Sequence, residues 1–219
     1  MPIIGFVLTT VLAYLVGSTP TGFLVAKARG IDIRAVGSGN IGATNVFRIL
    51  GVPAGIFVML MDAAKGWLPA ALLAKWLATL FLAGYSDLTV EWLHLCAGLG
   101  AVLGHNYTCW LRFKGGKGIS TSAGVLAAIV PVPLLIILTV FVLLLLTTRY
   151  VSVASIAASF TLPFATWLTG RSGNLIGVTA AMAVLAIYKH KTNIKRLIQG
   201  TENRLGGRPR PPDAVPPTK

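Results

Sequence analysis

The sequence predicts an all-α protein: a polytopic membrane helix bundle of seven transmembrane helices, with its N-terminus outside and its C-terminus in the cytoplasm. The chain of 219 residues is 55% hydrophobic and only 11% charged, with a mean hydropathy of +0.77, whereas about a quarter of a soluble domain is charged. Its apolar residues form runs of the length that a helix needs to cross a bilayer, roughly 20 residues. Its net charge of +13 is spread unevenly over the segments that join these runs.

The apolar runs divide the chain into seven predicted spans, some of them short enough to be tilted or partial. GSTPTG interrupts the first span. Pro131 and Pro133 divide the long run after residue 119, because proline breaks helices and favours extended backbone before it. The predicted spans are residues 3–26, 53–74, 91–111, 119–130, 133–148, 151–168 and 172–189.

Lysine and arginine fix the predicted orientation, because cytoplasmic loops carry an excess of both residues. With seven spans and the N-terminus outside, every Lys and Arg except Lys65, Lys75 and Arg171 falls on the cytoplasmic side. A single span after residue 119 would move the basic C-terminal segment to the other side, so charge supports the division at the prolines. We assign residues 1–206 to one integral-membrane domain and the Pro-rich residues 207–219 to a disordered tail.

The first polar motif is AVGSGNIGATNVFR, residues 35–48, which follows the first span. Its G-x-G-x-x-G pattern does not indicate a dinucleotide site, which needs a strand and a βαβ unit around it. A plain turn would explain the glycines alone. The polar residues favour an anion site at a helix that begins near Gly42, because glycines let backbone N–H groups approach an anion and arginine matches phosphate with a planar fork. The candidates are Gly37, Ser38, Gly39, Asn40, Gly42, Thr44, Asn45 and Arg48.

The second motif is FKGGKGIST, residues 113–121, directly after the third span. It lacks the full P-loop pattern, because Leu111 stands where the first glycine would be needed. A cytoplasmic anchor loop would explain its lysines but not three glycines among four consecutive residues. We interpret the segment as a phosphate-binding nest at the N-terminus of the fourth helix, formed by Lys114, Gly115, Gly116, Lys117 and Gly118.

The third motif is KHKTNIKRLIQGTEN, residues 189–203, at the end of the last span. His190 and Asn193 are three residues apart and would share one face of a helix, looking inward. Lys191, Lys195 and Arg196 fit a basic amphipathic helix on anionic lipid. In the predicted topology all three motifs emerge on the cytoplasmic side, which favours one anionic site at the membrane surface.

No other group of residues in the sequence indicates a catalytic centre. Asp62 and Lys65 lie three residues apart inside the second span, where charges are costly and often functional, but each can neutralise the other and we interpret them as structural. His105 is interpreted as a structural histidine at a helix end. The six acidic residues form neither a carboxylate cluster nor a catalytic spacing with histidine, so no metal and no cofactor is predicted.

Three classes of function remain open at this point: an enzyme that acts on phosphate-bearing substrates, an organophosphate or anion transporter, and a basic membrane-surface scaffold. Polar motifs gathered on one side count against the transporter, whose site would lie near mid-membrane. The scaffold predicts that only total charge matters. Few aromatic residues are interleaved with the basic ones, so anionic membrane lipid and an anionic substrate are the expected partners rather than nucleic acid.

The residues resemble those of the PlsY family, the integral-membrane acyl-phosphate:glycerol-3-phosphate acyltransferases. The resemblance covers roughly residues 3–206 and includes, in order, GSTPTG, GSGNIGATNVFR, GHNYTCWLRFKGGKGIST and HKTNIKRLIQGTEN. It implies a seven-helix enzyme of the bacterial inner membrane that transfers an acyl group from acyl phosphate, and not from acyl-CoA, to the 1-hydroxyl of glycerol 3-phosphate. The products would be 1-acyl-glycerol 3-phosphate (lysophosphatidic acid) and phosphate.

The resemblance also implies five catalytic residues: Ser38, Arg48, Lys117, His190 and Asn193. Arg48 and Lys117 would hold phosphate, while Ser38 and Asn193 would orient the alcohol or the carbonyl by hydrogen bonds. His190 would bind phosphate or relay a proton, and either His190 or a substrate phosphate could serve as the base. An acyl phosphate is already activated, so positioning and electrostatics can supply most of the catalysis.

Overall fold

The described part of the protein, residues 2–207 of a computed structural model, is helical and contains no strand. The predicted tail lies outside the described residues, apart from Gly207. The α-helices are α1 Pro2–Gly17, α2 Thr21–Lys27, α3 Ala43–Leu50, α4 Val52–Leu68, α5 Ala74–Phe81, α6 Asp87–Asn106, α7 Ile119–Ile129, α8 Pro131–Thr148, α9 Val151–Leu168, α10 Gly173–Lys189 and α11 Lys191–Ile198. A π-helical turn, Pro69–Leu73, joins α4 to α5, and a 3-10 turn, Cys109–Leu111, follows α6.

Every predicted span is largely helical in the structure. The break at the prolines is confirmed: α7 ends at Ile129 and α8 begins at Pro131, where the missing N–H of proline costs no helical hydrogen bond. Within residues 2–207, four helical stretches are long and apolar enough to cross a membrane: Pro2–Lys27, Val52–Phe81, Pro131–Thr148 and Val151–Leu168. Helices α7 and α10 are apolar but shorter, so the count of seven spans stays a prediction.

Two compact units make up the described residues: unit 1 comprises residues 2–21 and 59–134, and unit 2 comprises residues 22–58 and 135–207. In unit 1, α1 packs along α6. A Cβ added at Gly17 would overlap the backbone of Ala101, and one added at Gly104 would overlap the carbonyl of Tyr14. Small residues of this kind let membrane helices approach closely.

In unit 2, α9 packs against α10. The hydroxyls of Ser159, Thr166 and Thr179 donate to carbonyls four residues earlier in their own helices, which satisfies these buried polar groups. The segment before α3 is anchored by Ile33, which is fully buried. This segment carries the first polar motif.

Candidate functional site

The first motif forms a loop that ends at the N-terminus of α3. Gly37 and Gly39 have φ of +61° and +71°, in the region that glycine adopts without steric cost. The N–H of Gly42 donates to Asn40 Oδ1 over 2.8 Å, and Gly42 is the N-cap of α3. The prediction of a helix that begins near Gly42 is confirmed.

Asn45 organises this loop from the first turn of α3. Its Oδ1 accepts the N–H of Ser38 at 2.9 Å, and its Nδ2 donates to the carbonyls of Ile33 and Val36 at 3.2 and 3.1 Å. A Cβ at Gly37 would overlap Asn45 Oδ1. Both amide hydrogens of this buried side chain are therefore used within the loop, and binding of substrate by Asn40, Thr44 and Asn45 stays a prediction.

Among residues 2–207, Ser38 is held by a hydrogen bond of its backbone and not of its hydroxyl. Its N–H is the group bound by Asn45, and its side chain is partly exposed. The loop therefore fixes the position of Ser38 while the hydroxyl stays accessible to a ligand.

Arg48 lies in the last turn of α3 and contacts the third motif. Its Nη2 donates to the carbonyl of Asn203 at 3.5 Å, while its Nε is buried without a hydrogen-bond acceptor among residues 2–207. Burial lowers the pKa of the guanidinium, the Glu202 carboxylate opposes that shift, and Arg196 adds to it. Arginine stays charged despite such a shift, so α3 presents a half-buried cation with a donor left over for an anion.

His190 stands at a break between two helices, being the C-cap of α10 and the N-cap of α11. The backbone leaves the helix at His190, so His190 and Asn193 are the N-cap and N3 positions of α11, and their shared face stays a prediction. Both side chains are nevertheless buried, at 2% and 4% exposure. His190 Nδ1 lies 2.7 Å from the Ala186 carbonyl and must donate to it, which makes Nε2 the acceptor nitrogen of the neutral ring.

Glu202 connects the residues of the third motif. Asn193 Nδ2 donates to Glu202 Oε1 at 2.7 Å, and Arg196 Nε donates to Glu202 Oε2 at 2.8 Å. The segment around Glu202 returns to α11, since the N–H of Thr201 donates to the Arg196 carbonyl. The structure gives Arg196 a partner that the sequence did not predict, because its guanidinium neutralises a buried carboxylate. Lys191 and Lys195 are exposed as expected, and contact of all three with lipid stays a prediction.

The second motif belongs to unit 1 and follows the end of α6. Gly118 is the N-cap of α7, with φ of +75°, so the predicted helix start is confirmed. A Cβ at Gly115 would overlap the carbonyl of His105, one at Gly116 would overlap the His105 ring, and one at Gly118 would lie 2.7 Å from Asn106 Oδ1. Close packing on the end of α6 therefore requires these glycines, whatever the loop binds.

The two lysines of the second motif differ in environment. Lys114 is exposed, whereas Lys117 is partly buried between Gly116 and Gly118, which are both buried. A partly buried ammonium interacts more strongly with an anion than an exposed one, because water screens it less. Lys117 is thus the better placed of the two to bind phosphate, although binding by either stays a prediction.

Asp62 and Lys65 form the expected ion pair inside unit 1, with Lys65 Nζ 2.8 Å from Asp62 Oδ1. Lys65 also donates to the Thr19 carbonyl at 2.7 Å, in the break between α1 and α2. The structure adds His105, whose Nδ1 lies 3.8 Å from Asp62 Oδ1. Sequence spacing gave no acid–histidine pair because these residues come from different helices.

Comparison with known proteins assigns the chain to a family. The sequence profile described as "Glycerol-3-phosphate acyltransferase" matches residues 7–200. The chain belongs to the glycerol-3-phosphate acyltransferase family. Proteins of that name from Geotalea daltonii and Geobacter sulfurreducens are 47% and 46% identical to it, over 87% and 90% of this chain and 93% and 95% of theirs. The protein of that name from Fusobacterium nucleatum is 43% identical over 89% of this chain and 95% of its own.

Two solved structures resemble the chain over nearly its whole length. Both are of PlsY, an integral membrane glycerol 3-phosphate acyltransferase. The glycerol 3-phosphate form has a TM-score of 0.82 and 38% identity, covering 92% of this chain and 96% of its own. The lysophosphatidic acid form has a TM-score of 0.79 and 36% identity, covering 92% and 95%. The resemblance to the PlsY family is confirmed, and this acyltransferase is a multi-pass membrane protein.

The pair between buried Glu202 and partly buried Arg196 leads to a prediction on stability. In Glu202→Gln, an amide N–H₂ or a neutral oxygen replaces the acceptor of Arg196, and two nearby guanidinium groups lose their counter-charge. A hydrogen bond to a charged group contributes about 1.5–3 kcal/mol, and for a chain of this size each kcal/mol shifts Tm by roughly 2–4 °C. We expect Tm in detergent to fall by about 3–12 °C.

The matched control is Asp32→Asn, which breaks another Arg–carboxylate pair among the described residues of unit 2. Asp32 and Arg34 are also 2.8 Å apart, but both are exposed, and exposed pairs contribute little. Thermal unfolding followed by intrinsic fluorescence should show no change for this variant. Equal shifts in the two variants would mean that Glu202 has no special role in holding the third motif.

Proposed function

We propose that this protein transfers an acyl group from acyl phosphate to the 1-hydroxyl of glycerol 3-phosphate, forming lysophosphatidic acid and inorganic phosphate. The observation that carries the proposal is Arg48: a half-buried guanidinium with a buried Nε that lacks an acceptor among residues 2–207. Buried polar groups of this kind normally have partners, and a phosphate oxygen suits an arginine. The solved relatives with glycerol 3-phosphate and lysophosphatidic acid support this choice of substrate and product.

The reaction needs electrostatic stabilisation more than a strong nucleophile. The 1-hydroxyl oxygen of glycerol 3-phosphate forms a bond to the acyl carbonyl carbon and gives up its proton to a base. The bond from that carbon to the phosphate oxygen then breaks, and phosphate leaves with the electron pair. Cations and hydrogen-bond donors that are already in place lower this barrier without reorganisation.

This scheme assigns a role to each of the five catalytic residues. Arg48 and Lys117 would neutralise phosphate charge, and the accessible Ser38 hydroxyl would orient the alcohol or the carbonyl. Asn193, held by Glu202, would support the same step. His190 accepts through Nε2 when neutral, so it can receive the proton; once protonated, Nε2 can donate to a phosphate oxygen. A substrate phosphate is the alternative base.

The glycines and polar residues of the first two motifs would complete the binding site for the two phosphate-bearing substrates. The acyl chain would lie between apolar helices and reach the lipid. We further propose a single functional domain over residues 1–206 that crosses the bacterial inner membrane seven times. The basic segments would then face the cytoplasm and its anionic lipid, and the reaction would take place on that side.

Reconstitution of the purified protein tests the proposal. Proteoliposomes with acyl phosphate and radiolabelled glycerol 3-phosphate should release phosphate and form labelled lysophosphatidic acid in equal amounts. A transporter would instead accumulate glycerol 3-phosphate inside the vesicles without acyl phosphate, and a scaffold would do neither. Uptake without product formation would overturn the proposal.

Donor specificity is a separate expectation. The sequence has no H-x-x-x-x-D motif, since Leu99, Trp110 and Lys195 stand five residues after its three histidines. With glycerol 3-phosphate held constant, we expect turnover with acyl phosphate and none above background with acyl-CoA of the same chain. Thin-layer separation of the lipid product measures both donors in one assay. Efficient transfer from purified acyl-CoA would rule out the assigned donor.

A further inference from the structure

The glycine loop of unit 1, Gly115–Gly118, rests on a buried cluster that the proposed acyl transfer leaves without a task. The cluster consists of Asp62, Lys65 and His105, whose side chains are no more than 7% exposed. Burying an ion pair costs desolvation energy that the pair often fails to recover, so such a pair is weak evidence for stability. Its location therefore calls for another explanation.

The cluster ties three parts of unit 1 together. Lys65 Nζ contacts both the Asp62 carboxylate, at 2.8 Å, and the Thr19 carbonyl, at 2.7 Å. The same oxygen of Asp62 lies 3.8 Å from His105 Nδ1. One carboxylate on α4 thus connects the break between α1 and α2 with the last turn of α6.

His105 transmits this arrangement to the glycine loop through both its backbone and its ring. The His105 carbonyl accepts the N–H of Gly116 at 3.0 Å. The ring lies between Asp62, whose Oδ1 is 3.8 Å from Nδ1, and Gly116, where an added Cβ would overlap Nε2. The ring therefore acts as a spacer between the ion pair on α4 and the backbone of the loop.

We propose that His105, oriented by Asp62, is a positioning residue that sets the distance at which the Gly115–Gly118 backbone and Lys117 meet a phosphate group. The inference rests on the proposed function in taking this loop as a phosphate-binding element. It assigns to His105 no contact with substrate and no proton transfer.

The first test is His105→Gln, which keeps a polar side chain but replaces the flat ring by a flexible amide. Because a displaced loop weakens binding in the ground state and the transition state alike, KM should rise with little change in kcat. We expect KM for at least one of the two phosphate-bearing substrates to rise about tenfold, with kcat within about threefold of wild type. Tm in detergent should stay unchanged.

The matched control is His94→Gln on the same helix. His94 Nδ1 contacts the Ala70 carbonyl at 2.6 Å, at the π-helical turn. This variant should leave both KM values at the wild-type level. A general effect of replacing a histidine of α6 would raise KM in both variants and would count against a specific role for His105.

A steric test separates the ring from the rest of the residue. Gly116→Ala should raise KM strongly in the wild-type background, because the new methyl group meets the His105 ring. In the His105→Ala background the same change should add less than about threefold, since residues in contact have non-additive effects. Equal effects of Gly116→Ala in both backgrounds would overturn the spacer role.

Hydrogen exchange provides a measurement that needs no turnover. In His105→Gln, a peptide spanning residues 113–118 should exchange its amide hydrogens about tenfold faster than in wild type, because the loop opens more often. If the wild-type protein shows this protection but no acyl transfer, the proposed function fails while the positioning role of His105 stands. Unchanged KM values together with unchanged exchange would overturn the positioning role, as would a parallel loss of kcat and Tm with constant KM.

Discussion

Ser38→Ala should lower kcat about 100- to 1000-fold, the effect of removing one donor aimed at a developing oxyanion. The alanine variant should fold normally, because the loop is held by the Ser38 N–H bound to Asn45 Oδ1, and alanine keeps that N–H. The hydroxyl is the only group that the substitution removes. Loss of activity would therefore report on the chemistry of Ser38 and not on the loop.

The measurement is phosphate release in membranes with equal expression, together with Tm of the purified variant. Ser86→Ala is the control with the opposite expected pattern: the Ser86 hydroxyl caps α6 by accepting from Thr89 N. Removing such a cap costs about 0.5–2 kcal/mol of stability and should leave kcat nearly constant. Activity of Ser38→Ala close to wild type would remove Ser38 from the catalytic group.

Local sequence signals predicted the helices well because the physical causes are local. Proline at 131 and 133 marks the turn between α7 and α8, and the last predicted span, residues 172–189, matches α10, Gly173–Lys189. The helix that starts after Gly118 was also recognisable, since glycine there takes a positive φ. Each of these features depends on residues that lie within one helical turn of each other, so it can be recognised from the sequence alone.

The partners of the site residues could not be predicted, because they depend on contacts between distant segments. Asp62 and His105 come from different helices, and no spacing rule relates them. Glu202 had one available signal: it is one of six acidic residues in a chain with 19 Lys and Arg, and it lies within a basic motif. An acid in such a place is expected to pair with a neighbouring cation, as it does with Arg196.

Glycine patterns were ambiguous for a physical reason. A glycine lets the backbone approach either a ligand or another part of the protein, and the sequence does not distinguish the two. Gly37 and Gly116 each lie where a Cβ would meet a side chain, Asn45 in one case and His105 in the other. Packing alone accounts for these glycines, so the evidence for phosphate binding rests on the cations, above all on Arg48.

Arg48→Lys should lower kcat/KM about 10- to 100-fold, since one charge-assisted hydrogen bond contributes about 1.5–3 kcal/mol. Lysine keeps the charge but loses the planar fork, which lets one guanidinium bind Asn203 O and still offer Nε to a second acceptor. Charge and geometry are thereby separated at one position. Lys117→Arg should also be poor, because a guanidinium is bulky between Gly116 and Gly118.

The control for total charge is Lys195→Gln, an exposed lysine on α11. It removes a full charge, yet it should lower only attachment to anionic lipid and leave kcat/KM in neutral detergent close to wild type, because exposed charges are screened by water and salt. Arg196 is unsuitable as this control, since it neutralises Glu202.

Steady-state kinetics of the three variants distinguish total charge from guanidinium geometry. If Lys195→Gln loses activity while the charge-conserving Arg48→Lys stays close to wild type, total charge governs the reaction and a specific phosphate site at Arg48 is wrong. If Arg48→Lys is impaired and Lys195→Gln is not, the reaction requires the geometry of the guanidinium beside the third motif.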